Sequence, residues 1–199
     1  MAVLPKMDCR FTSAKVGVDV DGNGDSIMEV PMGWRFMPTD EELIISYLSR
    51  KVAFRSLPAQ IIKEIDATEF YKHHPNNLVD NVCFKRDLCS LETECYLFIN
   101  HDQYFHGRII KMRQVGEGNI GFWRCDGKEE AIFDAHGNVF AYKLHSTFYN
   151  SKSKKTSWKM EEYRLVHRYF NKDENSPRDE WVVARIRGAQ SLQQKLEFF

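Results

Sequence analysis

The sequence predicts an α+β domain, with helices first and a meander of antiparallel strands after them. Two observations carry this reading. A capped amphipathic helix stands early in the chain. From residue 94 onward, short aromatic and β-branched runs alternate with turn residues. Helices followed by a run of strands pack as an α+β domain. The 199 residues suit one sizeable core, since domains usually run about 100–200 residues, and no internal repeat or second domain is visible.

Taken in order, residues 1–29 read as a flexible N-terminal leader. Its DVDGNGD stretch imitates a calcium loop, with Asp19, Asp21, Asn23 and Gly24 at loop positions one, three, five and six. The twelfth position, where a bidentate Glu belongs, is Val30. An acidic, Gly-rich linker is the reading adopted. Order begins near Pro31. In PTDEELIISYLSRKV, Thr39 is an N-cap and Glu42 stands three residues later, which makes a capping box. Asp40 and Glu41 sit where the helix dipole favours anions. Leu43, Ile44, Tyr47 and Leu48 form the apolar face, and Arg50 and Lys51 close the last turn. A second, shorter helix is expected at 59–65, where Ile61, Ile62 and Ile65 cluster.

The strands expected next are ECYLFIN, IGFWRC, EAIF with VFAYKLHSTFYN, KTSWKMEEYRLVHRYF and EWVVARIRG. DAHGN (134–138) is a hairpin turn with Gly137 available for positive φ. Residues 30–188 thus make one domain, and 189–199 a short C-terminal tail.

Net charge is zero, so no global basic field advertises a nucleic-acid partner. Charge is nonetheless uneven. Residues 105–159 hold ten Lys/Arg against five Asp/Glu, an excess of five positive charges. Screening makes such a local face count for more than the total. No apolar run approaches the roughly 18 residues of a membrane span, and the first residues lack the long apolar stretch of a secretory signal; an intracellular, soluble protein is the expectation. The five cysteines (Cys9, Cys83, Cys89, Cys95, Cys125) include no CxxC pair. Their odd number argues for ordinary reduced thiols, and their spacing gives no tetrahedral zinc set.

Catalysis finds no support. Cys125 lacks a framing nucleophile–base signature, and Lys128 is followed by Glu129 where a phosphate loop needs Ser or Thr. GEGNIG matches G-x-G-x-x-G in letters but opens no helix. No catalytic residues are assigned.

Binding gives a more specific signal. PMGWRFMPTDEELIISYL (31–48) resembles the opening signature of the plant NAC transcription-factor domain, and the resemblance continues in order through ECYLFIN, GFWRCDGKEE, STFYNSKSKKTSWKMEEYRL and DEWVVARI. It covers about residues 30–187. It implies a twisted antiparallel sheet flanked by a few helices and a dimeric, nuclear, sequence-specific binder of double-stranded DNA. A CGTG-type core is the implied target, with no cofactor and no metal. The strand holding GFWRCDGK is implied to enter the major groove as an edge strand. Arg124 and Lys128 are then the leading contacts, with Arg108, Lys111, Arg113, Cys125, Asp126, Gly127, Lys143 and Lys155 completing the DNA-binding set; Trp123 is read as a packing anchor. For Lys152, Lys154 and Lys155 a solvated loop, phosphate contact and nuclear-import recognition stay open together. The implied dimer interface is Pro31, Gly33, Trp34, Arg35, Phe36 and Glu42, with an intersubunit Arg35–Glu42 ion pair. Cys125-Asp126 replaces the family's Ala-Thr, and Glu130 stands where a base is common. The alternative function is therefore a heterodimerisation partner with weak DNA binding that modulates other family members.

Overall fold

The computed structural model describes residues 18–20, 26–28, 36–82, 92–100, 111–117, 119–166 and 181–189. Two compact units are present, Met1–Met37 and Pro38–Phe199. In the first, β1 (Val18–Val20) pairs antiparallel with β2 (Ser26–Met28). No strand was expected in this leader; the β-branched Val18, Val20 and Ile27 suit extended backbone.

The second unit opens with the predicted helix. Thr39 Oγ1 accepts from the Glu42 N–H at 3.2 Å, and Glu42 Oε2 accepts from the Thr39 N–H at 2.9 Å. Both halves of the capping box are thus made. One turn of α1 (Asp40–Glu42) leads into a π-helical stretch (Leu43–Leu48) and then α2 (Ser49–Val52). Leu43, Ile44, Tyr47 and Leu48 are all buried, so the apolar face is the expected one. The π winding was not foreseen. Its i→i−5 bonding is seen where the Ser49 N–H reaches the Ile44 carbonyl.

The helix ends on a residue in the left-handed region. Phe54 has φ 51°, the Arg55 N–H reaches the Arg50 carbonyl at 2.8 Å and the Phe54 N–H reaches Lys51 at 3.1 Å. This pairing is the Schellman cap, whose turning residue is usually glycine. Phe54 is also 83% exposed, so packing gives it little in return.

The second helix expected at 59–65 is not formed. The chain turns near Gln60 and then extends as β3 (Lys63–Asp66), parallel to β4 (Glu92–Asn100), with Ile65 opposite Ile99. Two forces override the local isoleucine spacing. The open edge of β4 offers backbone partners, and the Asp66 carboxylate caps the next helix by accepting from the Thr68 N–H at 2.7 Å. That helix is α3 (Ala67–Phe70), followed by α4 (Pro75–Val82).

The remaining strands are β5 (Met112–Val115), β6 (Gly121–Cys125), β7 (Glu130–Phe133), β8 (Val139–Asn150), β9 (Lys155–Leu165) and β10 (Trp181–Ala189). They form one sheet in the order β3-β4-β10-β9-β8-β6-β5, with β7 also on β8. Every pairing but β3–β4 is antiparallel, so the sheet is mixed rather than purely antiparallel. The predicted DAHGN turn joins β7 to β8. Gly137 has φ 80°, and Asp134 Oδ1 accepts from the His136 and Asn138 N–H groups at 2.9 and 2.8 Å.

Strand alternation gives the sheet two different faces. The inner face buries Leu97, Ile99, Trp123, Phe148, Trp158, Met160 and Ile186 with Phe70, Leu78 and Val79 of α3 and α4. On the outer face the π-helical stretch lies against β9 and β10, and Phe98, Tyr163 and Val183 are fully buried there. Cys95, in the inner core, is disulfide-bonded, which corrects the expectation of a reduced thiol at that position, whereas Cys125 is free. Spatial proximity decides such pairing, and sequence spacing does not report it.

Phe54→Gly is expected to raise stability by about 0.5–1 kcal/mol. The strain of a non-glycine left-handed residue, about 1–2 kcal/mol, exceeds the chain entropy that glycine adds to the unfolded state. Urea denaturation tests this, and equal or lower stability in the variant refutes it.

Candidate nucleic-acid interface

The register of β6 decides which side chains share a face. Arg124 pairs with Met112 on β5 and with Thr147 on β8; Thr147 pairs with Lys159 on β9, and Lys159 with Arg187 on β10. Directly paired residues point the same way. Met112, Arg124, Thr147, Lys159 and Arg187 therefore make one row across the outer face. A neighbouring row joins Gln114, Phe122, Tyr149 and Lys155. Arg124, Lys159 and Arg187 are exposed, and Thr147 beneath them is fully buried.

Arg124 is held from below. Its guanidinium lies 4.2 Å from the Tyr149 ring centroid and donates through Nη2 to the Tyr149 hydroxyl. Tyr149 in turn stacks on Phe122, with centroids 5.3 Å apart and planes 4° apart. A cation over a tyrosine face gains about 0.5–2 kcal/mol, depending on desolvation. The guanidinium is thereby restrained while its outer edge stays in solvent.

Trp123 is the packing anchor expected. It is 2% exposed and lies 5.3 Å from Phe148 between ring centroids. Its Nε1 has no hydrogen-bond partner among the described residues. The expectation of an edge strand needs correction. Gly121–Cys125 is paired on both sides, by β5 and by β8. The short β5 supplies these pairs, and its sequence MRQV carries too weak an alternation to announce a strand. Beyond Cys125 the backbone leaves β5: the last bond on that side runs from the Cys125 N–H to the Lys111 carbonyl. Asp126, Gly127 and Lys128 continue as an exposed turn, with Gly127 at φ 126°.

The three acids of this segment are each engaged. The Asp126 carboxylate accepts from the Thr147 hydroxyl through Oδ2. Glu129 takes both forks of Arg164, at 2.7 and 2.6 Å. Glu130 Oε1 lies 3.4 Å from His145 Nε2. Cys125 is half-buried, and its thiol donates to the Gly127 carbonyl at 3.1 Å. Burial pushes the thiol pKa up, and the nearby carboxylates of Asp126, Glu162 and Glu129 add to the shift. A thiol held protonated is a poor nucleophile.

The predicted DNA contacts fall into separate places. Arg124, Asp126, Gly127, Lys128 and Lys155 lie on or beside the open part of the outer face. Lys152 and Lys154 flank them in the β8–β9 hairpin, whose turn is fastened by Asn150 Oδ1 accepting from the Lys152 and Lys154 N–H groups. Arg113 lies on the inner face, opposite Trp123, where Nη1 donates to the Tyr71 hydroxyl at 2.8 Å. Lys111 is exposed at the start of β5. Arg108 lies outside the described residues, as do Pro31, Gly33, Trp34 and Arg35; Phe36 is half-buried. Lys159, Arg187, Thr147 and Tyr149 escaped the sequence reading. Lys159 carried the only signal, as an unassigned base within a strand.

Lys143 is built into a charge network. Asp40 Oδ2 accepts from Lys143 Nζ at 2.8 Å, while Asp40 Oδ1 accepts from the Tyr163 hydroxyl and Arg185 Nη2, both at 2.8 Å. Glu161 Oε2 meets Arg185 at 2.5 Å and Arg187 at 2.7 Å, and Oε1 lies 3.4 Å from Lys143. Two carboxylates thus hold three cations. Burial pushes the Asp40 and Glu161 pKa values up. Lys143, Tyr163 and Arg185 outweigh it for Asp40, and Arg185, Lys143 and Arg187 for Glu161, so both carboxyls end below their ordinary range.

The family model described as No apical meristem (NAM) protein matches residues 31–165. The NAC domain-containing protein JA2 of Solanum lycopersicum is 36% identical over 162 residues, which are 80% of this chain and 43% of that protein. NAC transcription factor 32 of Arabidopsis thaliana is 34% identical over 164 residues, 80% of this chain and 59% of that protein. NAC domain-containing protein 68 of Oryza sativa subsp. japonica is 32% identical over 181 residues, 87% of this chain and 53% of that protein. The chain belongs to the NAC family, and it spans about half the length of these relatives.

The depressed carboxyls fix the sign of an acid response. A group whose pKa is lower in the folded state adds stability above its unfolded value and loses it as pH falls through the folded one. Stability is therefore expected to fall on acidification below the ordinary values of 3.8 and 4.5. Asp40→Asn should lose about 1–2 kcal/mol at neutral pH, the effect being limited by partial solvent screening, and its acid slope should flatten. An unaltered slope in urea titrations from pH 7 to 3 counts against this role for Asp40.

Proposed function

We propose that the chain is a sequence-specific double-stranded DNA-binding transcription factor of the NAC family, acting in the nucleus as a dimer with β6 and its following turn in the major groove. The observation that carries this reading is the row in which Arg124 and Lys159 flank Thr147 on the open outer face, with Lys128 and the hairpin lysines beside it. A B-DNA major groove about 12 Å wide admits a projecting strand and its turn. Arg124 is suited to a guanine edge, because its donors are planar and restrained by Tyr149. Lys152, Lys154, Lys155 and Lys159 suit phosphates, which need only a point charge. Membership of the NAC family and the name of NAC transcription factor 32 support the same reading. No helix among the described residues is long and apolar enough to cross a membrane.

For the dimer, Glu42 keeps one carboxylate oxygen beyond the one used in the capping box. Local capping and an intersubunit pair with Arg35 are therefore compatible. An isologous contact would place Pro31, Gly33, Trp34, Arg35 and Phe36 against their copies. The reading as a heterodimerisation partner with weak DNA binding draws on two observations. Arg113 and Lys143 are spent inside the fold, and a carboxylate stands beside Arg124.

Fluorescence anisotropy against CGTG-containing and scrambled duplexes over a range of salt separates the readings. Arg124→Ala is expected to cost about 1–3 kcal/mol on the specific duplex and little on the scrambled one. Lys159→Ala is expected to weaken both duplexes alike and reduce the salt slope by about 1. Lys143→Ala should leave the slope unchanged, because Asp40 and Glu161 already neutralise its ammonium. Equal weak binding of both duplexes by the wild type rejects the leading reading in favour of the heterodimerisation partner. In sedimentation, Arg35→Ala should shift the protein towards monomer; an undisturbed dimer rejects the ion pair.

A further inference from the structure

A carboxylate beside a DNA-reading arginine is costly if it faces phosphate, because the backbone carries one negative charge per about 1.7 Å of duplex axis. Asp126 stands in that place, and its surroundings show it to be held rather than left loose. Its N–H donates to the His145 carbonyl at 2.8 Å, which carries the β6–β8 ladder one residue past the strand. Its Oδ2 accepts from the hydroxyl of the fully buried Thr147. Oδ1 has no hydrogen-bond partner among the described residues, and Asp126 is exposed.

We infer that Asp126 is a specificity-determining residue, which accepts a hydrogen bond from a cytosine amino group in the major groove while Arg124 reads a guanine nearby. The inference rests on the DNA-binding reading above and deepens it. Its first support is spacing. Asp126 follows Arg124 by two residues, and strand alternation puts both on the outer face. A strand rises about 3.3 Å per residue, so the two side chains stand roughly 7 Å apart. That matches about two steps of 3.4 Å along one DNA strand.

The second support is chemical. An ionised carboxylate only accepts. Among base edges in the major groove, cytosine presents the N4 donor, and adenine presents its N6 donor next to an N7 acceptor. The adenine N7 repels the carboxylate, and guanine and thymine offer it no donor. Cytosine is the base whose edge it suits. The phosphates offer no donor either, so the arrangement that tolerates Asp126 turns its open oxygen to the base edges.

The third support is the contrast with its neighbours. Glu129 has both oxygens on Arg164, and Glu130, at the start of β7, lies by His145 of β8. Asp126 shares the face of Arg124 and Lys159 and is oriented by a buried hydroxyl whose residue pairs with both. Thr147 is a positioning residue in this scheme: it fixes one carboxylate oxygen so that the other points away from the sheet.

The test uses the full chain and a duplex pool randomised over the binding site. Sites are selected with wild type, Asp126→Ala, Asp126→Asn and Arg124→Ala, and affinities are then measured on duplexes varied one base pair at a time. For the wild type, one cytosine position, separate from the guanine lost in Arg124→Ala, should discriminate by at least about fivefold. Asp126→Ala should abolish the preference at that position alone. Asp126→Asn should move it from cytosine to adenine, because an amide pairs with adenine N6 and N7. Thr147→Val, which nearly preserves the buried volume, should weaken discrimination at the same position and at no other.

If Asp126→Ala instead tightens every duplex by a similar factor and leaves all base preferences in place, the carboxylate only repels phosphate and the inference is overturned. If the wild type selects no sequence at all, the DNA-binding reading falls, and the inference falls with it. The two failures are distinct, because the first retains a motif that depends on Arg124.

Discussion

The Asp40 carboxylate is the constraint on which the arrangement of this domain depends. It sits in the first turn of the capped helix and accepts from side chains on three different strands: Lys143 of β8, Tyr163 of β9 and Arg185 of β10. A single group thereby fixes where the helix starts over the sheet. It also fixes which part of the outer face the helix covers. Glu161 completes the arrangement from below by holding the same cations. Burying charges carries a desolvation cost, and here each buried charge is met by an opposite charge or a hydroxyl.

This network divides the basic side chains of the outer face into two groups. Under the helix, Lys143 and Arg185 are neutralised by carboxylates and serve cohesion. Past the helix, Arg124 and Lys159 face solvent, beside the lysines of the β8–β9 hairpin. A chain with no net charge thus has a basic outer surface without an equal acidic one opposing it there. Glu129 and Glu130 are drawn away by Arg164 and His145, so the acids that look damaging in the sequence are largely consumed within the fold. Asp126 is the informative exception. It is anchored by a buried hydroxyl and is itself exposed.

Much of the fold was legible because its signals are local. The capping box at Thr39 and Glu42 lies within four residues, the apolar face of the helix within six, and the turn at 134–138 within a single Asx-fastened loop. Elements set by distant partners were not legible. Residues 59–65 carry a helical cluster of isoleucines, yet the chain turns near Gln60 and Lys63–Asp66 extend as a strand, because the edge of β4 lies ready to pair with them. MRQV becomes β5 for a similar reason, and its presence turns the expected edge strand into an interior one. The site was legible in residue type and illegible in direction. Arg113 and Arg124 look equivalent as bases before and within one strand, yet β5 points Arg113 inward to Tyr71 while β6 points Arg124 outward over Tyr149.

The sequence by itself determined the class of domain, the order of its main strands along the chain and the family to which the chain belongs. These follow from turn residues, caps and motif blocks, each encoded within a short stretch. Only the tertiary structure decided which charges are spent and which are offered. Strand register brings Arg124, Thr147 and Lys159 into one row from β6, β8 and β9. A shift of one residue would turn each of them to the opposite face. For that reason the role of Asp126 became arguable only once Thr147, twenty-one residues away in sequence, was seen beneath it.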